Sequence, residues 1–171
     1  MRALSVVRGS LIAVALFAAA CSDGVAPPPG PLFSAGNSGV AGSGGLLVCK
    51  PLAYDSVTKR IGWKGGSIRV SKHVLVIPDG ALSQPVTITL VAPSDTVNRI
   101  QFQPEGLVFQ LRASLTMSYA NCNIGLTKQG RRIAYTNDSL AILEYVPSKD
   151  DPSQRKVAGQ LKHFSSYALS W

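Results

Sequence analysis

Residues 65–95 constrain the fold most, because strand-like runs alternate there with tight turn signals. The segment reads GGSIRVSKHVLVIPDGALSQPVTITLVAPSD. In its central Pro78-Asp79-Gly80 sequence, proline sets φ for a turn, aspartate can bond the nearby backbone, and glycine accepts the left-handed conformation. Residues 86–92 then alternate apolar and threonine side chains, which is typical of a strand with one buried face. The segment therefore predicts antiparallel strands joined by a preset turn.

Runs of strand length continue along most of the chain, separated by turn residues. Residues 74–77 are apolar at every position, which predicts a strand covered on both faces. Residues 147–153 are polar and predict a loop. No long segment after residue 20 has the 3.6-residue periodicity of a helix. We therefore predict an all-β fold, an antiparallel β-sandwich, with strands in residues 46–49, 57–63, 67–70, 74–77, 86–92, 100–102, 107–119, 132–135, 140–146 and 157–171.

The first 20 residues predict export. Arg2 and Arg8 form a positive start, and residues 11–20, LIAVALFAAA, are an uncharged apolar run too short to span a bilayer. This is the pattern of a secretory signal peptide over residues 1–20. The whole chain carries a formal net charge of +8, and removal of this segment leaves +6. Such a surplus favours anionic partners.

Cys21 directly follows three alanines that suit a signal peptidase. The arrangement resembles the lipobox of bacterial lipoproteins, in which the cysteine is acylated and becomes the new N-terminus. Those proteins usually carry leucine where this chain has Ala18. The resemblance implies that Cys21 is a lipidation site. The alternative is ordinary cleavage after Ala20, which would leave Cys21 as a free thiol.

The chain has three cysteines, Cys21, Cys49 and Cys122. If Cys21 is lipidated, Cys49 and Cys122 are left as a candidate disulfide in an oxidising compartment. The bond would close a loop of about seventy residues, worth about 4 kcal/mol in the chain-entropy treatment. The alternative is that both are buried free thiols that act as small apolar residues.

Residues 21–45 separate the predicted anchor from the predicted sandwich. The proline run APPPGP favours extended polyproline geometry, and the glycine and serine residues after it are flexible. Such a composition forms no packed core, so we predict a disordered tether with a span on the order of 25 to 30 Å. The predicted organisation is a signal peptide at 1–20, a tether at 21–45 and a β-sandwich domain at 46–171.

Residue types that carry out catalysis or bind metals are sparse. The sequence has two histidines, His73 and His163. We predict His73 at an exposed or turn-capping position, and His163, in phase with Leu161 and Tyr167, as a hydrogen-bonded core residue. The acidic residues show no metal-ligand spacing, so we predict no metal and no cofactor. We expect no enzymatic activity; the alternative is a hydrolase that assembles Ser, His and Asp from distant strands.

Basic residues cluster in two places. The first cluster surrounds a predicted turn and the second lies in a late strand: Lys128, Arg131 and Arg132, then Arg155, Lys156 and Lys162. The first is a candidate basic patch for an anionic envelope glycan or lipid. Export argues against nucleic acid as a partner. The alternative is a solvated loop and an edge strand whose charges resist aggregation.

Two strings, GGSIRVSKHVLVIPDGAL at 65–82 and PEGLVFQLRASLTMSY at 104–119, resemble the ZU-type β-sandwich domain of ankyrins, netrin receptors and zonula occludens scaffolds. In that family a Gly-Gly pair leads into a strand, an Ile-Pro-x-Gly-Ala turn follows, and a Pro-x-Gly-x-x-Phe segment opens a long strand. The matching positions are Gly65, Gly66, Ile77, Pro78, Gly80, Ala81, Pro104, Gly106 and Phe109. The resemblance implies a sandwich that acts in protein interaction, and it carries no binding site onto this chain. The closing HFSSYAL at 163–169 also resembles the tail of bacterial envelope proteins with this kind of domain.

The sequence as a whole predicts a lipid-anchored protein of the cell envelope that presents its sandwich for protein contact or structural support. The expected partners are the membrane, through the N-terminal lipid, and an envelope protein. Ser22 stands where enteric lipoproteins retained in the inner membrane carry Asp, which favours the outer membrane, facing the periplasm or the surface. The alternative function is a module that binds envelope glycan or anionic lipid.

Overall fold

The computed structural model describes residues 45–124 and 129–171. These residues are all-β, and their strands form two antiparallel sheets that pack face to face as a sandwich. The predicted antiparallel β-sandwich is confirmed. No helix in the described part of the chain is long and apolar enough to cross a membrane. The predicted signal peptide, Cys21, most of the predicted tether and Lys128 lie outside the described residues.

Each sheet collects strands from distant parts of the chain. The six-stranded sheet has the order β1-β4-β5-β11-β7-β8, and the five-stranded sheet has the order β2-β3-β6-β10-β9. The strands are β1 (Asp55–Ile61), β2 (Gly66–Val70), β3 (His73–Ile77), β4 (Val86–Ala92), β5 (Arg99–Gln103), β6 (Val108–Ser118), β7 (Arg132–Thr136), β8 (Ile142–Val146), β9 (Ser148–Asp151), β10 (Lys156–His163) and β11 (Ser166–Ser170). Because successive strands pass repeatedly from one sheet to the other, the two sheets depend on each other.

The chain changes sheet through short corners at both sides of the sandwich. Residues 62–65 join β1 to β2, and Gly65 has a φ of 67°. A Cβ at Gly65 would collide with the carbonyl oxygen of Ile77, so this close approach requires glycine. Pro147 alone separates β8 from β9. Proline lacks a backbone donor, which suits a point where one ladder ends and another begins.

The hydrophobic core lies between the sheets and takes the alternate residues of each strand. In β4, Ile88 and Leu90 are fully buried, as the alternating pattern predicts. Aromatic rings fill one part of the core. The ring of Phe102 stacks on Phe164 with centroids 4.8 Å apart, and Phe109 meets Phe164 edge-on at 5.0 Å. Such pairs add specific contacts to the burial of apolar area.

Two apolar side chains lie outside the core, contrary to the expectation from sequence. In β3, Leu75 is fully buried but Val76 is 46% exposed. The prediction that residues 74–77 are covered on both faces is wrong, because the outer face of the five-stranded sheet carries no further layer within the described residues. Leu111 of β6 is 53% exposed. It lies where the pairing of β6 with β10 changes register after Leu161, and the alternation of β6 is interrupted there, whereas Phe109 and Ala113 on either side are buried.

Two segments form other local structures than expected. The predicted loop at residues 147–153 contains β9, because its backbone pairs with β10 in an antiparallel ladder. Its polar composition is compatible with a sheet edge, where one face meets water. Residues 46–49 form no named strand. They pair at single positions, Leu46 with Ser170, Val48 with Val97 and Cys49 with Cys122.

Candidate functional site

Cys49 and Cys122 are joined by a disulfide. The bond ties the segment before β1 to the turn after β6, 73 positions further along the chain. The side-chain amide of Asn98 contacts the sulfur of Cys122 at 3.3 Å. The predicted bridge is confirmed, and the alternative of two free thiols is wrong. Because disulfides persist in oxidising compartments, the bond is consistent with an extracytoplasmic protein.

The structure describes two members of the candidate basic patch, Arg131 and Arg132. Arg131 is buried, so its charge does not face a surface partner. Arg132 is exposed, its guanidinium lies 3.9 Å from the ring centre of Tyr145, and it donates to the carbonyl oxygen of Trp171 at 3.1 Å. Neighbours in an extended chain point to opposite sides, which separates the two arginines. A patch that includes Lys128 stays a prediction.

Arg131 belongs to a buried polar cluster. Its Nη1 lies 3.7 Å from Oδ2 of Asp150, and its backbone N–H donates to the same oxygen at 3.1 Å. The hydroxyl of Tyr119 donates to Oδ1 of Asp150 at 2.9 Å. The guanidinium packs over the rings of Tyr119 and Trp171, 5.5 and 5.4 Å from their centres. The cluster joins the end of β6 to β9 and to the start of β7.

The pKa of Tyr119 is raised to about 12, chiefly by burial and to a smaller extent by the hydrogen bond to Asp150. The phenol therefore stays protonated at neutral pH and remains a donor. A tyrosine held in this way stabilises the fold, since its proton is committed to the carboxylate of Asp150.

His73 is buried, so the prediction of an exposed or turn-capping position is wrong. Its side chain shares the inward face of β3 with Leu75 and Ile77, and this phase was readable in the sequence. Its Nδ1 accepts the backbone N–H of Ser118 at 3.2 Å. Burial, with a smaller effect of the Lys72 charge, lowers the pKa of His73 to about 4. The neutral imidazole thus acts as a fixed acceptor for the end of β6.

His163 lines a crevice at the end of β10, where it is half-buried. Its Nδ1 lies 3.4 Å from the carbonyl oxygen of Phe164, and its ring meets Tyr135 edge-on at 5.2 Å. Tyr167 donates its hydroxyl to the carbonyl oxygen of His163 at 2.7 Å, and burial raises the pKa of Tyr167. The crevice holds about 90 Å³, room for a few water molecules and far below the volume of an ordinary ligand pocket. The predicted hydrogen-bonded position is found, with partial burial.

Among the described residues, no hydrogen bond joins either histidine to a serine or cysteine side chain. The same residues include no group of three or more His, Cys, Asp or Glu placed to hold a metal ion. The two buried groups with the clearest pKa shifts and a partner on another strand, His73 and Tyr119, bond to the backbone N–H of Ser118 and to the carboxylate of Asp150.

The first surface, termed the apolar end, consists of Trp63 and Leu111 beside the turn of residues 78–80. Trp63 is 58% exposed, and its carbonyl oxygen accepts the N–H of Gly80 at 2.8 Å. A Cβ at Gly80 would lie 3.7 Å from Cδ1 of Leu111. Gly80 itself has a φ of 75°, as the turn prediction requires. The turn thus supports two exposed apolar side chains at one end of the sandwich.

The second surface, termed the cationic face, is the outer face of the five-stranded sheet. Five exposed basic side chains lie on it: Arg69 of β2, Arg112 of β6, Lys149 of β9, and Lys156 and Lys162 of β10. Strand register places one row of residues across all five strands, in the order Arg69, Val74, Thr116, Ala158 and Lys149. The next row is Ser67, Val76, Ser114 and Gln160. The cations therefore surround uncharged side chains, among them Val74, Thr116 and Ala158.

The sequence indicated only part of this surface. Lys156 and Lys162 stood out as a late basic cluster, whereas Arg69, Arg112 and Lys149 are far apart along the chain. Strand pairing brings them onto one face. The sequence feature that they share is their position in the alternation of each strand, since each occupies an outward-facing position.

Comparison with known proteins does not assign the chain to a family. No family model matches the chain, and no curated protein matches its sequence. The described residues form an all-β domain of two antiparallel sheets, and the chain is classified by this architecture alone.

Proposed function

We propose that the chain is a lipid-anchored protein of the cell envelope that presents a ZU-like β-sandwich for protein interaction or structural support and catalyses no reaction. The apolar end carries this proposal, since Trp63 and Leu111 are 58% and 53% exposed and flank one turn. Neighbouring exposed apolar and aromatic side chains are typical of protein contact sites. The same turn belongs to the residues that resemble a family of interaction modules.

Features at the start of the chain support the anchor. Residues 1–20 have the pattern of a signal peptide, and Cys21 follows them as in a lipobox. The Cys49–Cys122 disulfide agrees with an oxidising compartment. We favour attachment to the outer membrane, with the sandwich facing the periplasm or the surface.

Metabolic labelling with a palmitate analogue tests the anchor. The wild-type chain is expected to take up the label and to fractionate with membranes, whereas Cys21→Ser removes both properties. A wild-type protein that stays unlabelled would refute lipidation.

Photo-crosslinking in cells tests the contact. A photoreactive phenylalanine analogue replaces Trp63 in one protein and Tyr54 in a matched control. Tyr54 is 64% exposed and precedes β1, whereas Trp63 follows β1. The length of the strand separates the two residues by about 25 Å. We expect a discrete crosslinked species from position 63 only, and Leu111→Ser should weaken it. Equal crosslinking from both positions would contradict a specific contact at the apolar end.

A second candidate function is binding of an anionic glycan or lipid of the envelope. The cationic face favours it, because five exposed basic side chains share one side of the molecule.

A further inference from the structure

The cationic face has a recessed floor between longer basic side chains. In the row across the sheet, Val74, Thr116 and Ala158 lie between Arg69 and Lys149. Four strand spacings separate the two outer residues, a distance of about 19 Å. The floor is therefore broad and low, with charge on both sides. Such a surface can hold an extended chain laid across the strands or along them.

None of the cations on this face forms an ion pair with another described residue. The two ion pairs within the described residues, Arg99 with Asp95 and Arg131 with Asp150, involve none of them. Lys156 Nζ instead donates to the side-chain oxygen of Gln154 at 3.2 Å. Their charges remain available to an anionic ligand.

Protection of sheet edges does not account for the arrangement. Charged residues that prevent edge-to-edge aggregation are expected on the edge strands β2 and β9. Arg112 and Lys156, however, lie on β6 and β10, which have paired strands on both sides in the sheet order. Their positions indicate a charged face, of which the edge residues Arg69 and Lys149 form the margins.

A depression in the face adds hydrogen-bonding groups to the charge. It is open to solvent, has a volume of about 290 Å³ and is lined by Thr116, Lys149, Asp151, Gln154, Lys156 and Ala158. The hydroxyl of Ser153 and the backbone N–H of Gln154 donate to Oδ1 of Asp151 at 2.6 and 3.1 Å, which fixes the carboxylate. Two ammonium groups beside an oriented carboxylate and a hydroxyl suit a ligand that carries both acid groups and hydroxyls.

We propose that the cationic face binds an acidic polysaccharide chain, with its acid groups on the lysines and its hydroxyls on Asp151 and Thr116. A planar anionic membrane is the less suitable occupant, because it would press negative charge against Asp151 and leave the floor between Arg69 and Lys149 unfilled. The inference concerns a different surface from the apolar end. It rests on the second candidate function proposed above and names the ligand class, whereas the protein contact at the apolar end is tested separately.

Binding measurements on the full-length chain test this proposal. The chain carries Cys21→Ser throughout, so that no acyl group contributes. We expect polygalacturonate to bind in titration calorimetry, neutral dextran to give no signal, and monomeric galacturonate to bind much more weakly, since several cations act together on the polymer. Raising the ionic strength should weaken the binding, because exposed charges are screened.

Paired variants locate the site. Lys149→Gln with Lys156→Gln should weaken polygalacturonate binding about tenfold, the sum expected from two exposed ion pairs. The control is Lys50→Gln with Arg60→Gln. Both residues are exposed and lie away from the cationic face, and replacing them removes the same amount of positive charge. Its binding should stay within about twofold of the parent chain. Unchanged melting temperatures would show that both variants remain folded.

Three outcomes would overturn the proposal. Polygalacturonate fails to bind, both variants lose affinity equally, or the chain binds phosphatidylglycerol vesicles while ignoring the glycan. The second outcome would mean that net charge alone acts, and the third would assign the face to lipid. A crosslink from position 63 that persists in any of these cases would leave the proposed protein contact intact.

Discussion

Asp150 Oδ2 lies 3.7 Å from Nη1 of Arg131, and the two side chains are 12% and 7% exposed. This buried pair fastens β9 to the start of β7, although both residues belong to segments that the sequence presents as polar and solvated. The hydroxyl of Tyr119 completes the arrangement by donating to the other carboxylate oxygen. A residue expected on a basic surface thus stabilises the framework.

Replacing Asp150 with Asn should lower the free energy of unfolding by about 3 kcal/mol, because it removes the carboxylate that pairs with the buried guanidinium of Arg131. Urea denaturation measures the change. Asp138→Asn is the matched control, since Asp138 is exposed in the turn before β8 and should shift stability by less than about 0.5 kcal/mol. Equal effects of the two substitutions would show that the Asp150 pair contributes nothing specific.

Removing the disulfide with Cys49→Ala and Cys122→Ala should cost about 4 kcal/mol, as expected for a loop closed over 73 positions. Denaturation with and without reductant measures the loss. The wild-type protein should weaken in reductant, and the double variant should not respond to it. Alkylation of both thiols in the folded, unreduced wild-type protein would contradict the bond.

His73 should make stability depend on pH. The folded protein has a His73 pKa of about 4, against 6.5 for the free side chain, so between these values only the unfolded chain binds the proton. Stability is therefore complete above pH 6.5 and falls as the pH drops towards 4, by about 3 kcal/mol in total.

His73→Gln tests the pH prediction, because the amide keeps an acceptor for the N–H of Ser118 but does not titrate. Unfolding free energies of both proteins are compared across this pH range. The difference between them should narrow as the pH falls, since only the wild-type protein loses this contribution. Parallel curves would mean that His73 titrates normally in the folded state.

Gly65→Ala should destabilise the corner between β1 and β2 by about 3 kcal/mol, since the φ of 67° and the neighbouring carbonyl of Ile77 both exclude a side chain. Thermal unfolding provides the measurement. Gly130→Ala serves as the control, because no atom of the described residues lies within 4 Å of a Cβ built there. A melting temperature lowered equally by both changes would contradict the requirement for glycine at position 65.

The local features of the fold were predictable from the sequence. The alternation in β4 and the turn at residues 78–80 each depend on neighbours a few residues away. The odd number of cysteines, with Cys21 assigned to lipidation, also indicated the pair Cys49 and Cys122. In each case the residue type itself restricts the backbone or the covalent chemistry, so the prediction needed no tertiary contact.

The buried or exposed state of several side chains was decided by the tertiary structure. Val76 is exposed because no layer covers its face within the described residues, and Arg131 is buried because Tyr119, Asp150 and Trp171 meet around it. His73 could have been predicted from its phase with Leu75, but its acceptor role depends on β6, 45 positions away.

The sequence by itself determined that this chain forms antiparallel strands and turns, because side-chain alternation, proline and glycine act over short distances. Only the tertiary structure decided which faces those strands cover and which charges they place together. Arg69 and Lys149 are 80 positions apart in the chain, yet one row of strand pairing puts them on the same face. Register across five strands is a property of the assembled sheet, and no single segment of the sequence contains it.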